Sequence, residues 1–237
     1  MKQGKATTVQ DSSVRCLTEE REILNRWTEC RIELYNHKAN GNPSILDGPQ
    51  TDTEDDHPIF RKEVKAAVQS PKKGKTAVVD NIPAELVQAG GEDVITALKT
   101  ICNNIWQTGE WPTPWAPSLV IMLPKKGNLQ QCQNGQTLSL ISHPSKVMLK
   151  VKLYRMKPQA EKFIAEQQAG FRAGRSTTEQ ISNLRIPRDI YLQHQQDLYH
   201  VFIDFKRAFD GVWHTALWAT MKKYNISTNL IRVIKNL

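Results

Sequence analysis

Residues 198–210 read Leu-Tyr-His-Val-Phe-Ile-Asp-Phe-Lys-Arg-Ala-Phe-Asp, an apolar run that climbs to Asp204 and is followed by a second acid at Asp210. β-Branched and aromatic residues dominate Tyr199 to Ile203, which predicts a buried strand. A carboxylate at the end of a buried strand is costly unless something cationic compensates it, and a divalent metal is the usual compensation. The plainer reading is a strand-end acid that caps the next helix by accepting its backbone N–H groups. Spacing alone leaves Asp204 between these two.

The chain has 237 residues, enough for one large domain or two small ones with a real core. Its 39% hydrophobic and 24% charged residues are those of a soluble globular protein on the polar side. A formal net charge of +8 and a pI near 9.3 favour a polyanionic partner, nucleic acid first, over a basic surface with no partner. Met1 to Gln10 is polar and does not resemble a signal peptide, and no apolar run approaches the ~18 residues of a membrane span. Cys16, Cys30, Cys102 and Cys132 are widely spaced and read as free thiols in a reducing compartment. The expected location is therefore intracellular, cytoplasmic or nuclear, and not secreted. The histidines are scattered, which argues against a zinc site.

Along the chain, a polar N-terminus leads to a helix signalled by Thr18-Glu19-Glu20, with Ile23, Leu24, Trp27, Leu34 and Tyr35 as its apolar face. Asn36 to His57, with Gly, Pro and an acid cluster at 52–56, reads as a linker. Pro58 fits the first position of a helix carrying Phe60, Val64, Ala67 and Val68. Lys72, Lys73 and Lys75 surround Gly74 in a basic loop, and a short helix opened by Pro83 closes at Gly90 and Gly91. Val94, Ile95, Leu98, Ile101, Cys102, Ile105 and Trp106 recur at three- and four-residue steps, predicting a core helix that Gly109 ends. Ser118–Leu123 and Thr137–Ser142 read as two strands of a hairpin with Lys125 and Lys126 near its tip. A helix over 145–156 stops at Pro158.

The loop Gln168-Ala-Gly-Phe-Arg-Ala-Gly-Arg175 then runs into the capping box Ser176-Thr-Thr-Glu179. A basic glycine loop feeding a helix N-terminus can hold phosphate through backbone N–H groups and charge. Pro187 is expected to kink or end the helix that follows. After the Asp204 strand, Trp213, Leu217 and Met221 mark one helix, and Ser227 caps a last one. Leu230, Ile231 and Ile234 there have no later element to cover them, as if the chain stopped inside a domain.

In this order the features resemble the reverse transcriptase of non-LTR (LINE-type) retrotransposons, most closely the RTE/BovB-like group, from about Thr18 to Leu237. The residues that carry the resemblance are Val79-Asp-Asn-Ile-Pro-Ala-Glu85, Ile105-Trp-Gln-Thr-Gly-Glu-Trp-Pro112, Leu123-Pro-Lys-Lys-Gly127, Gln168 to Thr177 and Phe202 to Asp210. The resemblance implies an α+β fold, mainly helical, comprising the fingers and partial palm of a right-hand polymerase with few short antiparallel strands. Residues 1–57 would be an N-terminal helical and linker segment, and 58–237 a partial reverse transcriptase domain.

It further implies an RNA-directed DNA polymerase that uses two Mg²⁺ ions, an RNA template, a DNA primer and deoxynucleotides, with no membrane partner. Polymerases of this type hold the two metals ~3.5–4 Å apart, one at the primer hydroxyl and one at the leaving pyrophosphate. Asp204 and the Phe205 carbonyl match metal ligands, Asp204 being the catalytic carboxylate. Phe209 matches the aromatic gate against a ribonucleotide 2′-hydroxyl, and Lys125 and Lys126 lie near the incoming nucleotide. Lys72, Lys73, Lys75, Arg172 and Arg175 would grip phosphates.

Some of the pattern is absent. No Asp-Asp pair follows Asp204, and Asn134-Gly-Gln-Thr-Leu-Ser139 carries Gln136 where the family has an arginine, removing a bidentate cation. Val78 stands where a glycine is usual. The chain alone is accordingly expected to be inactive as a polymerase. The alternatives are a non-catalytic nucleic-acid-binding module, or a translated retroelement remnant without a stable function.

Overall fold

The computed structural model describes residues 8–35, 57–72, 74, 77–78, 80–124, 127–205 and 208–237. In chain order these form β1 (Val9–Gln10), β2 (Cys16–Leu17), α1 (Glu20–Tyr35), α2 (Arg61–Gln69), α3 (Ala84–Ala89) and α4 (Gly91–Thr108). After them come β3 (Leu119–Pro124), β4 (Gly135–Leu140), α5 (His143–Glu161), α6 (Thr177–Gln193), α7 (His214–Lys223) and α8 (Thr228–Lys235). The described chain is mostly helical with two short antiparallel strand pairs, β1–β2 and β3–β4, in keeping with the mainly helical expectation.

Helix α4 forms for the reasons its sequence gives. Glu92 and Asp93 occupy its first turn, where carboxylates offset the positive end of the helix dipole. Gly109 ends it at φ 78°, a conformation that a Cβ disfavours, and donates its N–H to the Ile105 carbonyl at 2.8 Å. Ile95, Leu98, Cys102, Ile105 and Trp106 share its buried face. Against them pack Val64, Ala67 and Val68 of α2, Val147, Met148 and Val151 of α5, and Leu230, Ile231 and Val233 of α8.

The last helix is therefore covered, contrary to the expectation that its apolar face lacks a partner. Its polar residues explain the fit. Arg232 donates to the carbonyls of Trp106 at 2.9 Å and Gln107 at 3.0 Å, Asn229 to Trp106 at 3.2 Å, and Asn236 to Gly109 at 3.3 Å. Those are end-of-helix carbonyls that α4 itself cannot satisfy. The cap brings the apolar side of α8 against the core.

Arg155 of α5 is a second hub. Its guanidinium donates to both Glu63 carboxylate oxygens at 2.7 and 2.8 Å, and to the carbonyls of His57 at 3.0 Å and Pro58 at 2.9 Å. It also lies 4.6 Å from the centre of the Trp106 ring. Burial raises the Glu63 carboxyl, but hydrogen bonds from Arg155 and the Phe60 N–H, with the charges of Arg155 and His57, hold it below its ordinary value. Asn103 brackets the Ile59 backbone, accepting from its N–H at 2.7 Å and donating to its carbonyl at 3.1 Å. These tertiary bonds keep 57–60 extended, so the helix predicted from Pro58 begins at Arg61.

Two prolines also depart from expectation. Helix α5 passes Pro158 and ends at Glu161, because the one hydrogen bond lost falls in its final turns. Helix α6 passes Pro187 and reaches Gln193; none of its residues is buried, so water can satisfy the freed carbonyl. A larger correction concerns residues 199–203, which form no strand. They are irregular and exposed, from Tyr199 at 86% to Ile203 at 76%. Strand propensity requires an edge to pair with, and the described sheets offer these residues none. The cysteines differ as well: Cys30 and Cys132 form a disulfide, while Cys16 and Cys102 are free thiols. The predicted linker over 36–57 lies, apart from His57, outside the described residues.

Lys152 is the one buried cation the core contains among the described residues, 3% exposed. It donates to the Val233 carbonyl at 2.9 Å and sits 4.1 Å from the Trp111 ring centre. Burial pushes its ammonium down to about 7, opposed by the charge of the Cys102 thiolate; burial pushes the Cys102 thiol up to about 12.

Two outcomes follow from this packing. Ile231→Ala is expected to cost about 2–5 kcal/mol in urea unfolding, whereas Ile186→Ala on exposed α6 should stay within about 0.5 kcal/mol. For Lys152, the unfolded chain holds the proton up to its ordinary value of 10.5 while the folded chain releases it near 7. The unfolded state binds more protons in that interval, so this group makes stability rise with pH. Cys102 acts in the opposite sense above its ordinary value of 9.0, which leaves pH 7 to 9 as the clear window. Lys152→Met should flatten the rise in thermal midpoint across it and exceed the wild type at pH 6.5. Trp111 Nε1, at 3.2 Å, still supplies the Val233 carbonyl with a donor in that variant.

Candidate nucleic-acid interface

The hairpin β3–β4 pairs from Leu119↔Leu140 to Pro124↔Gly135. Lys125 and Lys126, outside the described residues, follow that final pair directly in sequence. Gly127 then turns the chain at φ 109°, and Asn134 donates to the Asn128 carbonyl at 3.0 Å to close the connection. Gly135 is closely packed: a Cβ there would lie 2.6 Å from Met122 Cε, the movable end of a flexible side chain, and 3.4 Å from the Trp27 ring of α1. Gln136, opposite Leu123, is exposed. One face of the hairpin presents Leu119, Ile121, Leu123 and Leu138 to solvent.

The N-terminal segment adheres to the same connection. The Gln10 N–H donates to the Gln130 carbonyl at 2.7 Å, and Gln130 Nε2 donates to Thr8 Oγ1 at 3.1 Å. In the basic loop before α3, Lys72 is exposed, while Lys73 and Lys75 lie outside the described residues. Gly74, at φ 73°, donates its N–H to Glu85 at 2.5 Å, and Asp80 accepts from the Ile82 N–H at 3.1 Å. Asp80 and Glu85 thus shape the turn leading into α3.

The glycine–arginine loop is built from within. Arg172 pairs with Glu161 at 2.7 Å and donates to the carbonyls of Ala165 at 2.9 Å and Gln168 at 3.2 Å. Its side chain is largely covered, and its bonds go to protein. Arg175 pairs with Glu166 and, at 3.6 Å, with Glu179. Ser176 caps α6 by accepting from the Glu179 N–H at 3.1 Å, as the sequence predicts. Phe171 is left 92% exposed at φ 62°.

Phe171 nevertheless has a partner. The Phe209 ring, itself 78% exposed, meets it edge-to-face with centroids 5.8 Å apart. Two motifs far apart in sequence are brought together at this pair. Asp204 and Phe205 stand in the exposed irregular stretch, and Lys206 and Arg207 lie outside the described residues. No three His, Cys, Asp or Glu side chains gather in a metal-ligating group among the described residues. The described residues therefore gather no carboxylate set for a pair of cations.

The interactions that organise the core and position these loops escaped sequence reading. The Arg155–Glu63 pair spans 92 residues and the Arg232 bond to Trp106 spans 126, so no local pattern marks them. Glu63 had one visible signal, its place three residues after Phe60 at a helix start, where it accepts the Phe60 N–H at 2.8 Å.

Residues 123–237 match the family described as reverse transcriptase (RNA-dependent DNA polymerase). The probable RNA-directed DNA polymerase from transposon BS of Drosophila melanogaster is 29% identical over 171 residues, covering 70% of this chain and 19% of that protein. The RNA-directed DNA polymerase from mobile element jockey of Drosophila funebris is 26% identical over 182 residues, covering 76% and 20%. The corresponding protein of the X-element of Drosophila melanogaster is 26% identical over 166 residues, covering 68% and 18%. The chain thus spans about a fifth of the length of these relatives. Over residues 123–237 the chain is thus similar to the reverse transcriptase family, in the company of RNA-directed DNA polymerases from transposons.

Proposed function

We propose that residues 58–237 are the fingers and the start of the palm of a right-hand polymerase, serving RNA-directed DNA synthesis on an RNA template and DNA primer. The observation that carries this reading is the family match over 123–237, within which the glycine–arginine loop and the Asp204 motif meet through Phe171 and Phe209. Residues 58–237 are the polymerase part and 1–57 its N-terminal attachment. The closer affinity proposed is with the RTE/BovB-like group.

In this reading Phe209 is the gate beside the sugar of the incoming deoxynucleotide, and Phe171 supports its ring from the loop. Lys125 and Lys126 contact the nucleotide phosphates. Lys72, Lys73, Lys75 and Arg175 contact the nucleic-acid backbone without reading sequence. Arg172, whose donors are taken by Glu161 and two carbonyls, contributes chiefly by holding the loop that presents Phe171. Magnesium would bind through the Asp204 carboxylate and the Phe205 carbonyl. Two cations need carboxylates shared between them, and none stands with Asp204 in a group of three among the described residues. These residues alone are therefore proposed to bind nucleic acid without extending a primer.

Binding of a labelled RNA–DNA hybrid should weaken steeply between 50 and 200 mM salt, the slope falling by about 0.7–0.9 for each phosphate contact removed. Lys125→Ala should reduce that slope by about one contact and weaken binding uniformly across sequences. A flat salt response would overturn the phosphate-contact reading. Primer extension by the purified chain with Mg²⁺ or Mn²⁺ should give no template-dependent product. Such product, lost in Asp204→Ala, would show that a full carboxylate set assembles after all.

A further inference from the structure

The Cys30–Cys132 bond joins α1 to the connection between β3 and β4, across 102 residues of sequence. The Cα atoms are 6.6 Å apart, a separation that a disulfide spans. None of the described side chains of helix α1 is fully buried. Its Trp27 lies beside Gly135, next to the bond itself. On its N-terminal side β1 is anchored at Gln130, and on its C-terminal side the next described residue is His57. The bond is the one covalent fastening between the helix and the hairpin among the described residues.

We propose that Cys30–Cys132 is a thiol-exchange site: oxidised, it clamps α1 onto the β3–β4 connection, and a dithiol reductant releases the helix. The two sulfurs are not equivalent. Cys30 is partly exposed and Cys132 is buried. An incoming thiolate reaches the Cys30 sulfur and forms a mixed disulfide with it, while Cys132 leaves as a thiolate and takes up a proton. The second thiol of the reductant loses its proton and attacks its own sulfur in the mixed disulfide. That closes the reductant into a disulfide and leaves Cys30 as a thiol. Two electrons and two protons pass from the dithiol to the protein. Of the two remaining cysteines, Cys102 is buried and Cys16 is exposed, so only Cys16 can compete for exchange.

The test uses the full chain carrying Cys16→Ser, equilibrated with oxidised glutathione or with dithiothreitol and then digested briefly with trypsin. Arg21, Arg26 and Arg31 are the cleavage sites within α1. After quenching and complete reduction, peptide mapping reads the cleavage rate at each. The oxidised chain should show one free thiol, a Cys30–Cys132 cross-linked peptide, and cleavage at Arg26 and Arg31 slowed on the order of 10-fold against the reduced chain. Adding Cys30→Ser should give the fast rate in both conditions, while core helix α4 stays protected in all samples. Three free thiols after oxidation, a different cross-link, or equal cleavage rates in the two conditions would each overturn the proposal.

Discussion

A helix ends with carbonyls that it cannot satisfy from within, and the last carbonyls of α4 find their donors on α8. Arg232, Asn229 and Asn236 of α8 meet that demand, donating to the carbonyls of Trp106, Gln107 and Gly109. The same docking lays Leu230, Ile231 and Val233 into the apolar cluster and turns the Val233 carbonyl toward Lys152 and Trp111. A polar requirement at one helix end thus determines where the last helix goes. The helical core is closed by side chains more than 120 residues from the backbone they cap.

Arg155 performs a comparable task from α5. By occupying the carbonyls of His57 and Pro58 and both oxygens of Glu63, it pins the approach to α2 and lays its charge on Trp106. Together the two arginines tie α2, α4, α5 and α8 by hydrogen bonds whose geometry a purely apolar core would not specify. The surface loops then hang from a framework that their own sequences do little to stabilise.

What could be read in advance was local. The period of α4, its αL glycine, the Ser176 cap and the β3–β4 hairpin all follow from residues within a few positions of one another. What could not be read was a partner. Tyr199 to Ile203 has strand composition, yet no described strand stands beside it, and composition does not state whether an edge is present. Leu230 and Ile231 looked orphaned because much of the cluster that receives them, on α2, α4 and α5, lies far away in sequence. For the candidate site the balance is similar. The loop that carries Phe171 and Arg172 was legible, whereas the contact of Phe171 with Phe209 and the internal acceptors of Arg172 were not.

The exposed run from Tyr199 to Phe205 lies next in sequence to α6, a helix with Ile181, Leu184, Ile186, Ile190 and Leu192 all open to solvent. Extended apolar backbone without hydrogen-bonded neighbours is a template for joining other chains, and adjacent aliphatic side chains strengthen that tendency. None of these residues belongs to the cluster that holds the folded state together. Solubility and folding free energy are therefore governed by different parts of the molecule. A tighter core would leave this exposed apolar stretch as it is, whereas charge introduced along 181–205 would oppose association there.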